Sequence, residues 1–182
     1  LTVIANGIDV DRFRRRGRGA QSVPCQPGRP ASSPPRASPP PHVMSWLLDT
    51  DVICQPAKRR GDARVTAWIE QEQDRCYTSA VVIAQLAYWV RTKDGRQRQA
   101  LQAWLTRLVD AMHGRIHGFN VSVAHVWAEQ ERLLSKAGQR MPVEDSYIAA
   151  TARRHGLTIA TGNDQDFRRP GLKVFNPFKE LP

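Results

Sequence analysis

Residues 142–161 read PVEDSYIAATARRHGLTIAT, and this stretch has the pattern of a helix that leads into a buried strand. Pro142 precedes the helical segment, acidic residues fill its first turn and basic residues its last. Gly156 follows at the position where helices end in a left-handed residue. The next segment, LTIAT, is short and apolar, as buried strands are. The stretch therefore predicts one helix–strand unit of an α/β fold.

Short apolar runs alternate with helical patterns in the preceding and following sequence as well. The strand-like runs are SWLLDTDVIC, RCYTS, GRIHGFN and LKVFN, and the helical patterns are ARVTAWIEQEQ, SAVVIAQLAYWV, GRQRQALQAWLTRLVDAM and residues 121–136. Strands separated by helices pair in parallel, because a helical crossover returns the chain to the same end of the sheet. We therefore predict a parallel sheet flanked by helices.

The first 43 residues differ in composition from the rest of the chain. They are rich in arginine, proline and serine and show no hydrophobic periodicity, which predicts a disordered basic leader at residues 1–43. Such a segment could be a nucleic-acid-binding arm, a linker or non-native sequence. Because Met44 stands directly before the first strand-like run, we expect translation to start there. Residues 44–182 are then the folded domain.

The net charge indicates the kind of partner, and the cysteines indicate whether disulfides or a zinc site are present. Lysine and arginine number 27 against 17 acidic residues, and the net charge of +10 favours polyanionic partners such as RNA, DNA or an acidic protein. A genome rich in G and C would also enrich arginine. The three cysteines have no CxxC spacing, so neither a disulfide framework nor a zinc site is indicated, and we expect reduced thiols in a cytoplasmic protein. No apolar run is long enough to span a membrane.

Acidic and amide side chains follow several predicted strands. Asp49 and Asp51 end the first strand, Asp145 opens the helix after MPVE, and the loop after LTIAT holds Asn163, Asp164 and Asp166. Active sites of parallel sheets lie outside the carboxyl ends of the strands. Carboxylates that converge there repel each other, and Mg²⁺ or Mn²⁺ relieves that repulsion. Each acid alone could simply cap a helix or a turn, but their joint placement predicts a metal-dependent site that acts on phosphate esters.

Four blocks of the sequence resemble PIN-domain ribonucleases of the VapC toxin type. They are LLDTDVIC, TSAVVIAQLAYWV, PVEDSYIAATARRHGLTIATGNDQDF and VFNPF, in order and without large gaps. The resemblance implies a three-layer α/β/α fold and a Mg²⁺- or Mn²⁺-dependent endoribonuclease. It also implies inhibition by a cognate antitoxin protein and, commonly, a homodimer.

The resemblance also assigns roles to individual residues. Asp49 falls on the acid of the first strand and Asp145 on the third acid, which makes these two the expected Mg²⁺ ligands. The fourth position usually reads TRN..DF and reads TGNDQDF here, so Asn163 and Asp166 match it. Asp51 stands where members usually carry asparagine.

The second acid of the family, a glutamate within a helix, falls on Gln85. This would explain a primary amide in an apolar helix, since the side chain would point into the acidic pocket; a buried glutamine bonded to backbone is the simpler explanation without the resemblance. An amide oxygen can hold metal or water but carries no charge and cannot act as a base. Two hypotheses stay open: a weakened nuclease, and a degenerate PIN domain that binds antitoxin or RNA without cleaving. Asp51 or Asp164 could restore the missing charge.

Overall fold

A five-stranded parallel sheet forms the centre of the structure, a computed structural model that describes residues 44–181. In chain order its strands are β1 (Trp46–Leu48), β2 (Cys76–Ser79), β3 (Ile116–His117), β4 (Thr158–Ala160) and β5 (Val174–Phe175). The strand order is β3-β2-β1-β4-β5, and every pairing is parallel. The predicted parallel sheet is confirmed. The predicted leader lies outside the described residues.

Helices connect the strands wherever the sequence pattern predicts them. They are α1 (Thr50–Ile53), α2 (Ala63–Gln71), α3 (Ala80–Arg91), α4 (Gly95–Ala111), α5 (Val121–Lys136), α6 (Val143–His155), α7 (Asp164–Phe167) and α8 (Pro177–Glu180), with 3-10 turns at Gln55–Ala57 and Gln73–Arg75. The helices α1, α7 and α8 were not predicted. Each has only four residues, too few for a hydrophobic period to show.

The central strand β1 is covered on both faces. Leu47 and Leu48 point to opposite sides of the sheet, and both side chains are fully buried. Helices therefore pack on each face of the sheet, which is the three-layer α/β/α arrangement. Among the described residues, none of the helices combines the length and the apolar character needed to cross a bilayer.

The order of the strands places a crevice between β1 and β4. The chain moves from β1 to β2 on one side of the sheet, and β4 pairs with β1 on the other side. Helical connections therefore leave the two neighbouring strands in opposite directions, which opens a cleft at their carboxyl ends. Asp49 follows β1 and Thr161 follows β4, so both lie at this cleft.

Candidate active site

Asp49 is held in one orientation by two hydrogen bonds. It caps the N-terminus of α1, where its Oδ1 accepts a hydrogen bond from the Thr50 N–H at 2.6 Å. Its Oδ2 accepts one from the Thr161 hydroxyl at 2.8 Å, and the residue is only 8% exposed. Burial raises the pKa of the Asp49 carboxyl, while the hydrogen bonds from Thr161 and Thr50 oppose that rise. Each oxygen keeps a further lone pair, so the carboxylate can still ligate a cation.

Asp51 lies in the first turn of α1 and faces the loop after β4. Its Oδ2 accepts a hydrogen bond from the Gly162 N–H at 2.8 Å. Its Oδ1 is buried and has no hydrogen-bond partner among residues 44–181. Burial, and then the charge of Asp49, raise the pKa of Asp51 to about 6, while the Gly162 N–H and the charge of Lys58 oppose the rise. A buried carboxylate oxygen without a donor is costly unless a cation or water satisfies it.

Asp145 reaches the same cleft from the first turn of α6. Burial raises its pKa to about 6, and the charges of Asp49, Asp166, Glu144 and Asp51 add to the rise, in that order. The charges of Asp49 and Asp51 thus both act on Asp145, which lies in the first turn of α6. Their mutual repulsion is what a divalent cation would relieve.

The fourth predicted position lies at the rim of the cleft. The amide of Asn163 donates a hydrogen bond to Asp166 Oδ2 at 2.6 Å, and the Asn163 N–H donates to the Thr161 hydroxyl oxygen at 3.0 Å. Thr161 therefore connects this loop to Asp49. The sequence reasoning assigned Thr161 no role, although its place directly after a strand beside Asp49 is the signal that could have found it.

Asp164 has a different environment from the other acids of its loop. Its carboxylate is bound by Lys179 at 2.8 Å, Arg168 at 2.8 Å and the Asn176 amide at 2.7 Å. The hydrogen bonds from Lys179 and Asn176 lower the pKa of Asp164 to about 2. Its charge is already neutralised by two cations, so the suggestion that it restores the charge missing at Gln85 is not supported. Asp164 instead ties α7 to β5 and α8.

Gln85 contacts the cleft through α1. Its side chain is half-buried, and its Oε1 accepts a hydrogen bond from the hydroxyl of Thr50, the residue whose N–H binds Asp49. The amide is therefore bonded to a side chain of the pocket, whereas the simpler explanation placed it against backbone. A glutamate at this position could accept the same hydrogen bond and would add a negative charge.

The residues of the cleft fit a hard divalent cation in donor type. Asp49, Asp51 and Asp145 offer oxygen atoms only, which are the donors that Mg²⁺ and Mn²⁺ prefer. The unsatisfied Oδ1 of Asp51 is a further sign that positive charge belongs in the cleft. Across residues 44–181, no three His, Cys, Asp or Glu side chains converge closely enough to ligate one ion. A cation there would be held by few side chains, with water completing its coordination.

Replacing Asp145 with asparagine is expected to stabilise the metal-free protein at neutral pH. The folded pKa of about 6 lies above the ordinary value of 3.8, so the folded state loses stability as the pH rises through that window. After allowance for solvent screening of this half-exposed group, the gain is about 1 kcal/mol. Thermal unfolding in EDTA measures it. The gain should shrink as the pH falls and vanish below about pH 3, where both states are protonated, and Asp74→Asn, at an exposed acid, should show none. A lower melting temperature for Asp145→Asn at neutral pH would contradict the expectation.

Comparison with known protein sequences identifies relatives along most of the described chain. The pattern of the PIN domain family matches residues 46–172. The toxin FitB of Neisseria gonorrhoeae is 33% identical over 137 residues, which is 74% of this chain and 99% of FitB. A VapC ribonuclease of Sinorhizobium fredii is 31% identical over 136 residues, 73% of this chain and 97% of that protein.

Solved structures give the same result. The crystal structure of FitAcB from Neisseria gonorrhoeae matches with a TM-score of 0.70 at 33% identity, covering 74% of this chain and 99% of that chain. The structure of FitAB bound to a DNA fragment matches with a TM-score of 0.69 at 31% identity, covering 73% and 95%. The three-layer arrangement is thus shared along nearly the whole length of these relatives.

Proposed function

The chain belongs to the PIN-domain family, and we propose that it is a divalent-metal-dependent endoribonuclease of the VapC toxin type that hydrolyses RNA phosphodiester bonds. The observation that carries the proposal is that Asp49 and Asp51 both accept hydrogen bonds from the loop after β4, at the crevice between β1 and β4, with Asp145 close enough to be affected by both charges. The similarity to a toxin and to a VapC ribonuclease supports RNA as the substrate. The net charge of +10 suits a polyanion.

Asp49 and Asp145 would hold Mg²⁺ or Mn²⁺. The bound cation supplies charge for the phosphate oxygens and lowers the pKa of water. Thr161 and the Thr50 N–H keep the Asp49 carboxylate in its ligating orientation. Burial of Asp49 excludes competing water and strengthens its attraction for a cation.

Asp166 and Asn163 would orient the water that attacks phosphorus in line with the leaving oxygen. The amide of Asn163 donates a hydrogen bond to Asp166 Oδ2, and the other carboxylate oxygen could accept a hydrogen bond from that water. Gln85 keeps Thr50, and through it the start of α1, in place, but it contributes neither charge nor a base. Hydrolysis should therefore proceed more slowly than with a glutamate at this position.

A second function is favoured by Gln85 itself. With an amide where the family resemblance expects a carboxylate, the chain could be a catalytically degenerate PIN domain that binds antitoxin or RNA without cleaving. The carboxylates of Asp49, Asp145 and Asp166 are all present, and we therefore prefer the nuclease.

We further propose a cognate antitoxin protein as partner, a homodimer as the assembly and the cytoplasm as the location. The toxin among the relatives and the resemblance to VapC toxins support the antitoxin. An acidic cleft would receive an arginine of a bound antitoxin peptide.

The proposal is tested by incubating the full chain with total RNA in Mn²⁺, Mg²⁺ or EDTA. Cleavage is expected with either metal and not with EDTA. Asp145→Asn should lose most of this activity because the cation loses a charged ligand, while Glu144→Gln, in the same helical turn, should keep it. Absence of cleavage with both metals would favour the binding protein, and cleavage in EDTA would contradict metal dependence.

A further inference from the structure

We propose that Asp51 supplies the negative charge for cation binding that Gln85 lacks. The pocket then carries this carboxylate on α1 and not on α3. This inference rests on the proposed function, since it concerns the cation of the same cleft. A glutamate at position 85 would supply both a negative charge and a proton-accepting base. Asp51 restores the charge, and the base at position 85 remains missing.

The hydrogen bonding of Asp51 leaves one of its carboxylate oxygens without a donor. Its Oδ2 is fixed by the Gly162 N–H at 2.8 Å, and its Oδ1 is buried with no donor among the described residues. A side chain that only tied α1 to the loop after β4 would need one acceptor oxygen, which the asparagine usual at this position also has. The second oxygen of Asp51 has no hydrogen-bond donor among the described residues, although the charge of Lys58 acts on the carboxylate.

Gly162 is fitted to this carboxylate. A Cβ atom on Gly162 would stand 2.6 Å from Asp51 Oδ2, closer than real Cβ atoms approach, and 3.0 Å from the ring of Phe178, which is a tight contact. The related pattern TRN has arginine where this chain has Gly162. Gly162 and Asp51, two residues that differ from the related pattern, are therefore in direct contact. Gln85, the third residue that differs from the pattern, accepts a hydrogen bond from Thr50, the neighbour of Asp51. All three departures from the pattern therefore meet at one end of α1.

Asp51 acts through its charge and not as a third direct ligand. No three acidic side chains of the described chain converge on one ion, yet Asp51 lies within electrostatic range of both Asp49 and Asp145. Attraction between a carboxylate and a divalent cation falls only with the first power of distance, so a nearby carboxylate still strengthens binding. Asp164 cannot take this role, because Lys179 and Arg168 neutralise it.

The test is a charge-swap cycle read out as Mn²⁺ affinity. Mn²⁺ is titrated into the metal-free full chain and free Mn²⁺ is followed by electron paramagnetic resonance. Asp51→Asn should weaken binding about tenfold and Gln85→Glu should tighten it about tenfold. The double variant should return to within about twofold of the unmodified chain, because it carries the same number of carboxylates. Gly162→Ala, which displaces the Asp51 carboxylate, should weaken binding as Asp51→Asn does.

Asp164→Asn is the matched control, since it removes a buried acid from the neighbouring loop. It should lower the melting temperature and leave Mn²⁺ affinity unchanged. Suppose that the unmodified chain binds Mn²⁺ and Asp49→Asn does not. An Mn²⁺ affinity of Asp51→Asn equal to that of the unmodified chain then overturns the inference, and the proposed function stands. If the unmodified chain binds no Mn²⁺, both the proposed function and this inference fall.

Discussion

Asp49→Asn is expected to reduce metal-dependent RNA cleavage by the full chain at least about a thousandfold, with the fold intact. The exchange keeps the size of the side chain, and its amide oxygen can still accept the hydrogen bond from Thr50. It removes the charge from the most deeply buried carboxylate of the cleft, and with it the principal attraction for a cation. Single-turnover cleavage of end-labelled RNA at saturating Mn²⁺ measures the loss.

Asp74→Asn is the control for that variant. Asp74 is exposed in the turn before β2, so its replacement should leave the rate unchanged. Because burial raises the pKa of Asp49, its ionised form destabilises the metal-free fold, and Asp49→Asn should melt no lower than the unmodified chain. A variant that keeps more than about a tenth of the activity would remove Asp49 from the mechanism.

Gln85→Glu is expected to raise the single-turnover rate about a hundredfold, the lower end of what a positioned base contributes. The carboxylate can accept the same hydrogen bond from Thr50, so the geometry of α1 is retained. It adds both a charge and a proton acceptor on the α3 side of the cleft. If Asp51 already supplies the charge, the gain should persist at saturating Mn²⁺, where cation affinity no longer limits the rate.

Gln97→Glu provides the comparison for this gain. Gln97 is exposed on α4, so the same chemical change there alters only the net charge and should leave the rate unaffected. A Gln85→Glu variant no faster than the unmodified chain would show that position 85 has no part in proton transfer. The pH dependence of the rate should shift in Gln85→Glu and not in Gln97→Glu, because only the first introduces a titrating group beside Thr50.

The long elements of the fold could be predicted because their signals are local. Pro142 and Gly156 bound α6, and the left-handed φ of 68° at Gly156 is the conformation that its place in the sequence implied. The sheet could be predicted as parallel from the alternation of elements. The strand order β3-β2-β1-β4-β5 could not be predicted. Strand order depends on pairings between residues more than a hundred positions apart, such as Leu47 with Ile159.

The acids of the cleft could be proposed from sequence because strand ends converge. The sequence did not predict that Asp164 is neutralised by cations while Asp166 lies at the rim of the cleft, although the two lie in one short loop. Asp164 is neutralised by its i, i+4 neighbour Arg168 and by Lys179, 15 positions along the chain, which β5 and α8 bring near. The hydroxyl of Thr161 binds Asp49 across 112 residues for the same reason. Partners of this kind follow from tertiary structure and leave no local pattern.

Single-turnover cleavage of RNA by the unmodified full chain, beside Gln85→Glu and Asp49→Asn, is the most direct test of the central claim that this pocket works with an amide at position 85. We predict that the unmodified chain cleaves in Mn²⁺, that Gln85→Glu cleaves faster and that Asp49→Asn does not cleave. If Gln85→Glu cleaves and the unmodified chain leaves RNA intact, the claim is wrong, and the chain is a PIN domain whose function is to bind.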